Sequence, residues 1–192
     1  MATNWQKPGD AMRIIVMGQQ AFGKDALARI LDAGKDEVVA VYCEPDREGR
    51  PVDPIKQFAL ENGLPVHQPA DFNAQDALDT LGSFNADLMV MAFVNVFVPE
   101  AARDTPKLGS ICFHPSLLPL HRGRDAIIWT IHMGEKVTGG TVYWMNDVMD
   151  GGDIAAQEHC FVPPGISAGD LWRETLHPLG LKLYEKVLGD LE

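Results

Sequence analysis

The chain has 192 residues, 46% of them hydrophobic and 22% charged, a length and composition that suit one globular domain with core enough to need neither disulfides nor structural metal. Sixteen basic against twenty-seven acidic residues leave a net charge of −11, and a surface that negative repels polyphosphate, which argues against a nucleic-acid partner. The longest apolar stretches, such as Leu88 to Val94, fall far short of the roughly 20 residues of a membrane span, so no membrane partner is expected either. Residues 1–12, MATNWQKPGDAM, lack the apolar core of a secretory signal and read as a flexible lead-in, leaving residues 13–192 as a single domain. Cys43, Cys112 and Cys160 are odd in number and widely spaced, which fits reduced thiols in the cytoplasm.

In chain order, Met12 to Met17 reads as a buried strand, Ala21 to Ala33 as a helix, Val38 to Tyr42 as a strand and Pro54 to Asn62 as a helix. Ala74 to Leu81 is helical, and Leu88 to Phe93 and Ser110 to Phe113 are further short apolar strands. This alternation predicts an α/β fold: a mostly parallel sheet, helices on both faces, and ligands beyond the carboxyl ends of the strands. Thr141 to Met145 and Ile154 to Phe161 read as strands of a mixed sheet edge. Ser167 to Leu188 reads as a closing helix, with Ser167 its N-cap and Asp170 the acid three residues on.

Two places carry candidate chemistry. Gly18 to Asp25 follows a strand, opens a helix and nearly spells a phosphate-cradling loop. Asp25, however, replaces the hydroxyl that would ligate magnesium, so the glycines are expected to serve a tight turn and Lys24 to be a surface lysine. Cys112 and His114, two residues apart before Pro115, project from one face at a strand's carboxyl end, an active-site address in such a fold. Thirty-six residues after His114 comes Asp150, in Met149-Asp150-Gly151-Gly152-Asp153. By pattern alone that segment is either the partner of His114 or plain turn chemistry.

The block from His114 to Gly123, HPSLLPLHRG, continued by Ile128-Trp129-Thr130, Gly139-Gly140-Thr141-Val142 and Met149 to Ile154, resembles the folate-dependent formyltransferase family. Within that family the likeness is strongest to the N-terminal hydrolase domain of 10-formyltetrahydrofolate dehydrogenases. The first strand and loop, Ile15 to Gln19 with Phe22 and Gly23, extend the resemblance over most of the chain. It implies a Rossmann-like formyltransferase fold, with His114 and Asp150 as a catalytic pair.

Departures from the family pattern narrow the expectation. The resemblance places an asparagine, whose amide holds the formyl oxygen, where this chain has Cys112. A thiol is a much poorer donor, and the hydrolase domains also lack the amide, so water is favoured as acceptor. The first loop is bulkier than the phosphate-binding loop of glycinamide ribonucleotide formyltransferases. No C-terminal barrel domain of the kind found in several relatives is expected, and a homo-oligomer or a partner chain is a candidate to stand in its place.

The resemblance therefore implies hydrolysis of 10-formyltetrahydrofolate to tetrahydrofolate and formate, with no metal. The alternatives are formyl transfer to a small amine, or a folate-binding module without chemistry. Cys112 is a candidate covalent nucleophile. The pterin ring is expected between Phe93, Val94, Asn95, Val96, Phe97 and Val98 on one side and Met145, Asn146, Asp147, Val148 and Met149 on the other, with Phe93 and Phe97 equally open to reading as core. Arg122 either meets a folate carboxylate or braces an acid such as Asp125, and His121 is a second proton carrier or faces solvent.

Overall fold

The structure is a computed structural model and describes residues 11–191. Its first half runs β1 (Arg13–Gly18), α1 (Gln20–Ala33), β2 (Glu37–Tyr42), α2 (Pro54–Glu61), β3 (Val66–His67), α3 (Gln75–Ser83), β4 (Leu88–Ala92) and α4 (Glu100–Arg103). The second half runs β5 (Ser110–His114), α5 (Ala126–His132), β6 (Val137–Trp144), β7 (Ile154–Phe161), α6 (Ala168–Leu171), a π-helical turn (Trp172–Leu176) and α7 (His177–Leu191). The seven strands form one sheet in the order β3-β2-β1-β4-β5-β6-β7, parallel through β5 and antiparallel at β6 and β7. A mostly parallel sheet with a mixed edge is what the alternating elements predict.

Both faces are covered because alternate strand residues feed two separate cores. On one side Ile14, Val16, Leu88 and Val90 pack with Leu27 and Ile30 of α1 and Leu183 and Val187 of α7. On the other, Ile15, Met17, Met89 and Met91 pack with Leu81 of α3, Ala102 of α4 and Phe72. The expected lead-in falls mostly outside the described residues. Its last member, Met12, is buried in the core and donates its N–H to Asp36 Oδ1 at 3.0 Å.

Several boundaries differ from expectation. The strand β4 stops at Ala92 because Phe93 turns into the left-handed region, at φ 61°. The strand β6 begins at Val137, four residues before the expected Thr141, and runs through two glycines. A Cβ on Gly140 would lie 2.5 Å from the Phe113 ring, and one on Gly139 would strike the Glu158 carbonyl, so these glycines admit close neighbours instead of ending the strand. The two-residue β3 is too short to show a period.

The closing helix is capped as predicted, Ser167 Oγ accepting the Asp170 N–H at 3.1 Å, but it is not continuous. Pro178 has no N–H to give to the carbonyl four residues back, and in a regular helix its ring would clash with that carbonyl, so the preceding turn widens into the π turn. The widened turn seats Trp172 against Phe22, ring centroids 5.2 Å apart. Among the described residues no helix is long and apolar enough to cross a membrane.

Candidate active site

Because β1 has β2 on one side and β4 on the other, the chain reverses its direction of winding beside β1, and the loops at the carboxyl ends of β1, β4 and β5 gather along one edge. The loop after β1 is consumed by packing. A Cβ on Gly18 would sit 2.5 Å from the Ala92 carbonyl oxygen and 3.1 Å from the Cα of Gly23. The Gln19 N–H already bonds that carbonyl, at 3.3 Å. The first helical N–H, from Gln20, donates to both Asp53 carboxylate oxygens, at 2.9 and 3.1 Å, and Asp53 caps α2 as well by accepting from the Ile55 N–H. A carboxylate thus stands where a phosphate cradle would need a free donor. Lys24 is half-buried, near Asp25 and over the Phe58 ring.

The loop after β5 holds polar groups instead. Cys112 and His114 lie opposite Tyr143 and Thr141 in the β5–β6 ladder, and directly opposed residues share a face. The His114 side chain is 9% exposed and the Asp150 side chain 14%, with His114 Nδ1 3.4 Å from Asp150 Oδ2. His114 Nε2 lies 2.7 Å from the His121 carbonyl oxygen. A carbonyl only accepts, so Nε2 carries a proton committed to it, and Nδ1 is the nitrogen turned to the carboxylate.

Asp150 reaches this position through its turn. It sits at φ 47°, and a Cβ on Gly152 would collide with the Trp144 carbonyl, so the Asp-Gly-Gly segment folds back over the end of β6. Its carboxylate is held from both sides: Tyr143 donates its hydroxyl to Oδ1 at 2.7 Å, and the Gly123 N–H donates to Oδ2 at 2.6 Å. Gly123 presents that N–H from φ 81°.

Buried hydroxyls fix the segment between. Ser116, fully buried, donates to the Leu120 carbonyl at 2.6 Å, and the Thr141 hydroxyl donates to the Ser116 carbonyl at 2.7 Å. Gln157 reaches across from β7 to the Leu118 carbonyl at 3.0 Å. His121, at φ 52°, is not turned to solvent: its Nε2 is 2.9 Å from Glu135 Oε1, and this pair braces the residue whose carbonyl holds His114. Arg122 is exposed.

Cys112 is partly buried beside this pair. Burial pushes its thiol up to about 12, with the neighbouring Tyr143 side chain opposing and the Asp150 charge adding. Burial likewise drives the Tyr143 phenol far above the usual range, with the Cys112 and Asp150 charges adding. Both groups stay protonated at neutral pH.

The two stretches expected around a pterin ring meet on the apolar cluster that Cys112 also touches: Val98 is part of it, and Val94, Val96 and Met145 pack against it. Val94 and Val96 further line a small cleft with Gly18, Gln19, Cys43 and Phe72. Phe93 and Phe97 are exposed, Phe97 by 80%, which removes them from the core. Asn95 is exposed, its amide 3.5 Å from the Gln19 side chain. In the second stretch Asn146, Asp147, Val148 and Met149 are exposed, Asn146 Oδ1 accepting the Val148 N–H at 2.9 Å, and Asp147 is ion-paired with the buried Arg103 of α4. Among the described residues no three His, Cys, Asp or Glu side chains group as a metal site.

Tyr143 and Glu135 carry no sequence motif that would have marked them, and the family block that contains His121 and Gly123 does not show which backbone group each would offer. Their roles depend on strand register and on backbone turned to positive φ. What they hold together is one imidazole nitrogen and one carboxylate oxygen with room for a single proton between them, an arrangement able to give a proton to an oxygen or take one from water.

The formyl transferase family model matches residues 12–188. The cytosolic 10-formyltetrahydrofolate dehydrogenase of Xenopus laevis is 36% identical over 176 residues, covering 89% of this chain and 19% of that protein, so the chain spans about a fifth of such relatives. The methionyl-tRNA formyltransferase of Alkaliphilus oremlandii is 33% identical over 186 residues, covering 94% of the chain and 59% of that protein. In fold, the chain is similar to the phosphoribosylglycinamide formyltransferase of Bacillus halodurans, with a TM-score of 0.80 at 22% identity over 93% of this chain and 94% of that one. With the family model spanning all seven strands of the sheet and both members of the His114–Asp150 pair, the chain belongs to the folate-dependent formyltransferase family.

Proposed function

We propose that this protein hydrolyses 10-formyltetrahydrofolate to tetrahydrofolate and formate. The observation that carries the reading is the thiol at position 112, neutral and partly buried beside His114 and Asp150, where the transferases of the family are expected to have an amide. Without that amide the formyl oxygen has one strong donor left. The 36% identity to proteins named 10-formyltetrahydrofolate dehydrogenase supports the same substrate, while the rest of those longer proteins is not carried over.

Attack on the formyl carbon forms a C–O bond and places negative charge on the formyl oxygen, which needs a donor within about 3 Å. His114 is that donor and turns its Nδ1 side to the oxygen, since its Nε2–H is committed to the His121 carbonyl. Asp150 orients the attacking water and takes its proton; collapse then breaks the C–N bond, and the proton passes to the folate nitrogen that leaves. The pterin ring lies between residues 93–98 and 145–149, its polar edge served by backbone and its flat faces by Val94, Val96 and Met145. Cys112 serves as wall and not as nucleophile, because a thiol pushed up to about 12 supplies almost no thiolate at neutral pH.

Purified protein incubated with 10-formyltetrahydrofolate and no amine is expected to release formate and tetrahydrofolate in equal amounts. Product only when a small amine such as hydroxylamine is added would overturn hydrolysis in favour of transfer. Tight folate binding with no turnover in either case would leave a binding module.

A further inference from the structure

We propose that Tyr143 is a positioning residue for the reaction, its hydroxyl deciding which oxygen of Asp150 acts as the base; this rests on the formyl-folate reading above. The phenol is buried, lies directly across the β5–β6 ladder from Cys112, and donates to Asp150 Oδ1 at 2.7 Å. Oδ2 alone then faces His114 Nδ1, at 3.4 Å, while the Gly123 N–H steadies it from the other side at 2.6 Å.

The need for such a clamp follows from the local backbone. Asp150 sits at φ 47° in a turn whose glycines hold no side chain against it, so the strand behind it does not define the rotation of its carboxylate. That rotation is a broad, roughly two-fold torsion in carboxylates, and free turning would exchange Oδ1 and Oδ2. Donors on both oxygens remove the exchange. A hydroxyl donated to a carboxylate is also among the stronger hydrogen bonds in proteins. Its proton stays in place because burial, together with the neighbouring thiol and carboxylate, keeps the phenol from ionising.

The groups that the structure places around this carboxylate are His114 and Cys112 on β5, Tyr143 on β6, and the Gly123 N–H from the loop before α5. Of these, Tyr143 is the one whose polar atom can be deleted without changing ring, charge or backbone. The sequence gives no hint of it, since position 143 reads as one apolar residue of a strand.

The test is Tyr143→Phe, assayed with 10-formyltetrahydrofolate both with and without hydroxylamine, beside wild type. The expected result is a kcat lower by roughly 10- to 100-fold and a thermal midpoint lower by a few degrees, with KM and the dissociation constant for tetrahydrofolate nearly unchanged. A tyrosine that only fills space would leave kcat alone, and one that shapes the folate cleft would raise KM and weaken binding; either outcome overturns the inference. Retained tetrahydrofolate binding reports that the variant is folded whatever its rate. An active wild type with an equally active variant defeats the inference and spares the proposed function, whereas a wild type inert in both arms defeats the two together.

Discussion

The loops after β1 and after β5 hold equivalent places at the carboxyl edge of one sheet, and they use their polar groups in opposite ways. After β1, backbone packs on backbone so closely that Gly18 and Gly23 leave no room for a side chain, and the first helical N–H is filled by Asp53. After β5, hydroxyls, a carbonyl and a backbone N–H are arranged to hold two side chains, His114 and Asp150, with one nitrogen and one oxygen facing each other. A charged pair alone does not mark the difference. His177 and Asp25 beside the first loop approach to 3.0 Å, closer than His114 and Asp150, yet the Asp25 side chain is 36% exposed. Shielding from water and orientation by further partners set the His114–Asp150 pair apart from this surface contact.

The largest expected break of this contrast is chemical. His114→Ala lowers turnover of 10-formyltetrahydrofolate by roughly 10² to 10⁴-fold, while His177→Ala changes it by less than about twofold; initial rates of formate release measure both. Equal losses from the two would erase the distinction between the loops. The next effect is on stability and falls on the other loop: Gly18→Ala drives a methyl into the Ala92 carbonyl and costs about 1–3 kcal/mol, read as a thermal midpoint lower by several degrees.

Smaller still, Ser116→Ala leaves the Leu120 carbonyl without its buried donor and costs about 1 kcal/mol, with a larger fall in kcat than in stability because the segment that supports His114 loosens. Calorimetry beside rate measurement separates the two.

The smallest effect concerns the thiols. Cys112 and Cys43 are raised from 9.0 to about 12 and about 11, both chiefly by burial. Each therefore favours the folded state fully below pH 9, and that contribution is lost as pH rises through 11 to 12. Iodoacetamide labelling of both is expected to stay slow in folded protein up to pH 9 and to quicken on unfolding, and Cys112→Ala keeps most of the turnover. Fast labelling of Cys112 at pH 8 would contradict the neutral thiol.

Much of this was legible in the sequence where the signal is local. The buried strands show as short apolar runs, Ser167 shows as a cap, and the spacing of Cys112 and His114 before a proline places both on one face. The family block brought Asp150 into view at a distance of thirty-six residues, where pattern alone left it a turn. What was not legible depends on partners far along the chain. Tyr143 meets Asp150 only because β6 runs antiparallel to β5 in one register, and the His121 carbonyl reaches His114 only because residue 121 adopts a positive φ that favours no histidine in particular. The interrupted closing helix had a local cause in Pro178, outweighed by an apolar period that continues on both sides of it.

The most direct test of the central claim compares wild type and Asp150→Asn in 10-formyltetrahydrofolate without any amine, following formate and tetrahydrofolate together. The expected result is equal release of both products by wild type and a rate lower by at least roughly 10²-fold in the variant, whose amide cannot take the proton from water. Formate released at the same rate by both proteins, or by neither until an amine is supplied, would contradict it.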